Sequence, residues 1–212
     1  MTDQLLSRRV EKLEELFNVI NTHLFGGQLQ PVVITISPDT ARGAYGWFTV
    51  GKRWSTGMDK DAKRYHEINI CAEWCNRPIK EIVATLIHEM VHLFCSQNGI
   101  KDTSNRGNYH NTRFADAAKA HGLDVEKSRY GWNRTSLSEE TSAWVESLKL
   151  ENFDLFRVST KNETNTEGEG KREYTKWIKL VCPVCGAVIK VKKVGKYYCG
   201  NDHDPVAMLQ SL

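Results

Sequence analysis

The pentapeptide His88-Glu89-Met90-Val91-His92 constrains this chain more than any other feature. It lies within a run that reads as a helix from Pro78 to Asn98. There Ile82, Val83, Leu86, Ile87, Val91 and Phe94 supply a broad apolar surface. Pro78 suits the first turn, Glu81 complements the N-terminal dipole, and Gly99 is placed to end the helix. Residues four apart stand one above the other on a helix, so both imidazoles reach the same point in space. Glu89 is turned about 100° from His88, beside that point without being a ligand to it. A buried helix does not carry two histidines and a glutamate without partners. The spacing therefore predicts a zinc ion held by His88 and His92, with Glu89 as the catalytic base. Zinc acidifies a water, and the carboxylate takes its proton as the water attacks a carbonyl.

A catalytic zinc needs a third protein ligand and an open position. The metzincin extension would place a glycine and a histidine where this chain has Cys95 and Asn98, so that subclass is excluded. Of the remaining histidines, His110 is the expected third ligand. It follows a polar stretch read as a loop, Lys101 to Asn108, and opens a helix predicted to run to Gly122. His121 lies about 16 Å further along such a helix and cannot share the ion; it reads as a helix-end histidine. A glutamate third ligand, as in the thermolysin-like pattern, is the alternative to His110.

The surroundings predict an α+β fold. Leu6, Val10, Leu13, Phe17, Ile20 and Leu24 form one helical stripe, closed by Gly26-Gly27. Three strand-like runs follow, Val32 to Ile36, Ala44 to Val50 and Tyr65 to Cys71, and a weaker helix spans Ser138 to Leu150. The second run serves equally well as an edge that pairs with an extended peptide or as an internal strand. Tyr109 is a candidate donor to a developing oxyanion, although simple packing suits it better. A helix, an extended region, the H-E-M-V-H pentapeptide and then H-N-T-R-F about twenty residues later resemble the SprT-like metallopeptidases. The resemblance covers about Leu5 to Gly122 and resumes in the tail. It implies a compact zincin-like domain of helices packed on a small mixed sheet. It matches His88, His92 and His110 to the zinc ligands, Glu89 to the catalytic glutamate and Phe114 to an aromatic anchor. Asn111 stands where the family commonly has glycine. The eukaryotic member, Spartan, cleaves proteins crosslinked to DNA, which makes DNA-associated protein a substrate class to consider.

A second constellation lies near the C-terminus. Cys182-Pro-Val-Cys185, then Cys199 and His203, read as C-x2-C and C-x3-H pairs flanking a hairpin. Two short ligand pairs on such a frame suit a tetrahedral structural zinc, with His203 as fourth ligand and Asp202 or Asp204 as fallbacks. SprT-like proteins often carry a C-terminal ribbon with two C-x2-C pairs, and here His203 would replace the last cysteine. Two zinc ions are thus expected, one catalytic and one structural. Cys71, Cys75 and Cys95 are left as buried thiols.

Composition organises the chain around these sites. Residues 159–170 contain no apolar side chain and read as a flexible linker between a metallopeptidase domain, 1–158, and a basic zinc-ribbon tail, 171–212. The tail carries eight Lys/Arg against three acidic residues, a net +5, which leaves −2 for residues 1–170 of the total +3. Its lysines interleave with Trp177, Tyr197 and Tyr198, a pattern suited to phosphate contact and base stacking on single-stranded or damaged DNA. No run approaches a membrane span, and the charged N-terminus lacks an apolar signal core, so a cytoplasmic protein without a membrane partner is expected. The reading is a zinc-dependent endopeptidase acting on protein or peptide. The alternatives are a DNA-binding zinc-ribbon module with a weakly active or inactive zincin domain, and a zinc amide hydrolase that is not a peptidase.

Overall fold

The computed structural model describes residues 5–38, 43–158, 178–192 and 195–210. The predicted linker, and Trp177 in the tail, lie outside them. The chain divides into two compact units, Met1–Asn162 and Glu163–Leu212. Among the described residues no helix is long and apolar enough to cross a membrane.

The first unit opens with α1 (Leu5–Phe25), whose Leu13, Leu16, Phe17 and Ile20 are buried. The predicted stripe is correct at its centre, while Leu6 at the outer end remains half exposed. Strands β1 (Val32–Ser37), β2 (Gly46–Ser55) and β3 (Arg64–Cys71) form a mixed sheet in the order β1-β3-β2, with β1 parallel and β2 antiparallel to β3. Among the described residues β2 pairs only with β3, which makes it an edge strand. It runs five residues beyond the predicted Val50, through an irregularity between Thr49 and Trp54.

Ile68 and Ile70 of β3 face the core, and His66 on the same face packs against Phe48. Asn69 points the other way yet is fully buried, because Thr35 and Ser37 donate hydroxyl hydrogen bonds to its side-chain oxygen at 2.8 and 2.7 Å. Buried amides persist only where such partners exist.

Helix α2 (Ile79–Gln97) is the centre of the unit. Ile82, Val83, Leu86, Ile87, Met90, Val91 and Leu93 are all buried, as an all-round apolar pattern requires. Strand β4 (Thr103–Ser104) interrupts the predicted polar loop and pairs with β5 (Tyr109–His110). Helix α3 (Thr112–Ala120) starts two residues later than expected. Its N-cap is Asn111, whose side-chain oxygen accepts from the backbone N–H groups of Arg113 and Phe114 at 2.9 and 3.3 Å. A capping asparagine keeps extended backbone angles, so His110 falls in a strand and does not open the helix.

A hairpin that sequence periodicity did not show follows, β6 (Leu123–Ser128) and β7 (Gly131–Leu137). The unit then adds α4 (Glu139–Ser147), capped by Ser138. Its Val145 joins the common core.

In the second unit β8 (Ile178–Val181) and β9 (Val188–Val191) form a hairpin extended by β12 (Leu209–Gln210), beside a short pair, β10 (Tyr198–Cys199) and β11 (Val206–Ala207). Leu180, Cys182 and Cys199 are its buried apolar residues among those described. The whole is a mixed α+β architecture followed by a small β unit with a cysteine cluster, as the sequence predicts.

Candidate metal centres

His88 and His92 project from one face of α2, and β5 brings His110 over them. The three Nε2 atoms converge: His110 Nε2 lies 3.3 Å from that of His88 and 3.1 Å from that of His92. Nitrogens held about 2.1 Å from one tetrahedral zinc lie about 3.4 Å apart, so this spacing is compatible with a metal donor set. The outer nitrogens support the same assignment. His92 Nδ1 sits 2.5 Å from Asp102 Oδ2, and His88 Nδ1 is 3.0 Å from Thr135 Oγ1. His110 Nδ1 is buried and makes no hydrogen bond of normal geometry. Phe114 is fully buried, and its ring packs 4.7 Å from each of the three imidazoles.

Burial, reinforced by the neighbouring imidazoles, depresses His88 well below the ordinary histidine range. Burial and His92 likewise push His110 down to about 4. Both rings are therefore uncharged at neutral pH, the form in which imidazole binds metals. Glu89 is buried, and desolvation lifts its carboxyl to about 7 against the pull of His92 and of the Phe48 backbone N–H.

Close backbone packing sets these positions. A Cβ on Gly46 would lie 2.6 Å from the Asn69 carbonyl oxygen on β3 and 3.1 Å from Thr85 Cγ2 on α2, so only glycine lets β2 run this close to both. Gly131 is tighter still. Its φ is +82°, and a Cβ would sit 2.0 Å from the carbonyl oxygen of His110, its parallel bridge partner.

His88, Glu89 and His110 border a cleft of about 880 Å3, whose walls include Tyr45, Gly46 and Arg77 on one side and Asn133 to Leu137 on the other. The Arg77 guanidinium carbon lies over Tyr45, 4.1 Å from the ring centre, and the side chain donates to Thr85 Oγ1 at 3.1 Å. Tyr109 does not line the cleft. Neighbouring residues of a strand point to opposite faces, so with His110 turned inward Tyr109 is turned away.

A protein-family model described as the SprT-like family matches residues 13–131. The chain belongs to the SprT-like family. Comparisons with curated proteins and with solved structures return no match. The SprT-like segment contains His88, Glu89, His92 and His110 together with Asp102 and Gly131. It ends before Thr135 and excludes the cysteine cluster.

That cluster comprises Cys182, Cys185, Cys199 and His203, with one ligand atom from each lying within 4.8 Å of the others. Cys182 Sγ is 3.4 Å from His203 Nε2, and Cys185 Sγ is 3.7 Å from Cys199 Sγ. Sulfurs held about 2.3 Å from a tetrahedral zinc are about 3.8 Å apart, so this donor set also fits. His203 Nδ1 lies 2.7 Å from the Asp204 carbonyl oxygen, which turns Nε2 toward the thiols. The fourth donor in this cluster is thus His203, and neither Asp202 nor Asp204 belongs to it.

The other histidines and cysteines are packing residues. His23 stacks on Trp144, and His121 caps α3 while lying between Phe25 and Phe94. Cys71, Cys75 and Cys95 are fully buried thiols outside any disulfide. Sequence reading missed Asp102, Thr135, Gly131 and the capping role of Asn111. Of these only Asn111, an asparagine ahead of an amphipathic run, carried a local signal.

Proposed function

We propose that this chain is a zinc-dependent endopeptidase. The observation that carries the reading is the convergence of three histidine Nε2 atoms beside a buried glutamate at the wall of an open cleft. His88, His92 and His110 would hold the ion, which supplies Lewis acidity for hydrolysis when bound. Glu89 accepts a proton from the attacking water as its oxygen bonds to the peptide carbonyl carbon. The carboxyl group returns that proton to the amine nitrogen when the C–N bond breaks. Burial suits Glu89 to this exchange by bringing its affinity for protons close to neutrality. The Phe48 N–H orients the carboxylate from β2. The edge of β2, unpaired among the described residues, supports an extended peptide as the substrate, paired along the strand.

The second unit would be held together by a structural zinc on Cys182, Cys185, Cys199 and His203. Its sheet supports a polyanionic partner, DNA. Lys179 and Lys190 are directly opposite each other across β8 and β9. Like charges in that register repel, and a phosphate backbone relieves the repulsion. DNA-associated proteins are accordingly the proposed substrate class.

The deciding experiment is proteolysis by the full-length chain with and without single-stranded DNA, beside Glu89→Gln. Loss of cleavage in a variant that retains its metal is expected. Undiminished cleavage by Glu89→Gln would overturn the mechanism.

A further inference from the structure

The three candidate ligands differ in what stands behind them. His92 is backed by a carboxylate, Asp102, at 2.5 Å. His88 is backed by a neutral hydroxyl, Thr135, at 3.0 Å. His110 makes no hydrogen bond of normal geometry at Nδ1, where the ring meets the backbone carbonyl of Tyr130 instead of a side chain.

An ionised carboxylate can only accept, so Asp102 requires the hydrogen of His92 to sit on Nδ1 and leaves the Nε2 lone pair bare. Threonine can donate or accept, so Thr135 orients the ring of His88 but selects its tautomer less strictly. His110 is placed by its backbone instead. Its strand is bridged to Thr103 on one side and to Gly131 on the other.

Asp102 and His110 also belong to one clamp. The Asn111 backbone N–H donates to the Asp102 carbonyl at 3.0 Å, and its side-chain amide donates to the Lys101 carbonyl at 2.8 Å. The segment that delivers the third ligand thereby also carries the group that orients the second.

We propose that Asp102 and Thr135 are positioning residues for a metal at this site, acting through His92 and His88 in a graded order with Asp102 dominant. The inference rests on reading the three histidines as a metal centre. Groups behind a ligating histidine typically alter metal affinity by about 10–100-fold. Asp102→Ala should reach that range, Asp102→Asn should fall between it and wild type, and Thr135→Val should cost a few-fold, with Thr135→Ser restoring affinity.

The test is cobalt(II) titration of the metal-free full-length chain, followed by zinc competition against a chelator. Thiolate-bound cobalt gives intense near-ultraviolet charge transfer, whereas an all-nitrogen site gives only weak visible bands, so the two centres are read separately. Thermal unfolding of each metal-free variant is measured alongside. The expected result is weakened binding at the nitrogen site in the stated order, with metal-free stability close to wild type. If wild type shows no nitrogen-site cobalt, the metal-centre reading itself falls, and this inference with it. If wild type binds but Asp102→Ala and Thr135→Val bind equally well, the reading stands and this inference is overturned. Losses that merely track a lower metal-free melting temperature would also overturn it, leaving both residues a structural role.

Discussion

The two candidate centres use different resources to bring their ligands together. Around His88, His92 and His110 the geometry is inherited from the protein interior: α2 is buried along most of its length, and Phe114 fills the space behind all three rings. Around Cys182, Cys185, Cys199 and His203 there is almost no interior, only short strands and three buried apolar residues among those described. In the first unit the fold makes the site; in the second the ligands must help make the fold. Small units below about 40–50 residues rarely supply enough apolar burial by themselves.

Metal removal should separate the two most sharply. Chelation of the full-length chain should unfold the second unit, since a structural zinc contributes on the order of 10 kcal/mol or more to such folds. Limited proteolysis should then cut within 178–210 while leaving 5–158 intact. Cleavage throughout both units would erase the distinction. Next in size is Glu89→Gln, expected to lower the rate of peptide cleavage by about 10²–10⁴-fold with zinc content unchanged, as checked by elemental analysis.

Phe114→Ala should cost the first unit about 3–5 kcal/mol, the usual penalty for emptying a buried aromatic site, and should weaken its metal binding. Chemical denaturation followed by aromatic fluorescence measures it, and a loss below about 1 kcal/mol would mean that the rings do not depend on that packing. Asn111→Ala should be the mildest, about 1 kcal/mol for the lost cap, while leaving cobalt binding at the thiolate site unaltered. A change at the thiolate site would show that the two centres are coupled.

These differences also determine what could be read from the sequence. The helices α1 and α2 were legible because long apolar periodicity is imposed by burial, and H-E-x-x-H adds ligand spacing to it. The cysteine pairs were legible because a structural zinc is held by short local ligand motifs. The β6–β7 hairpin was not, since Asp124, Glu126, Lys127, Arg129 and Arg134 break any simple alternation on a half-exposed sheet. Thr135 is 47 residues from His88 and meets it only through that hairpin. His110 does lie beside the other two histidines, but in a strand and not in the expected helix, because a capping asparagine looks from the sequence like the helix's second residue.

The buried thiols of the first unit have a practical consequence. Burial lifts Cys75 to about 11 and Cys95 to about 12, and both are sealed within the core. A thiol reagent applied at neutral pH therefore has little thiolate to attack there while that core is closed. The number of cysteines that react becomes a gauge of which part of the molecule has opened, without any label being introduced.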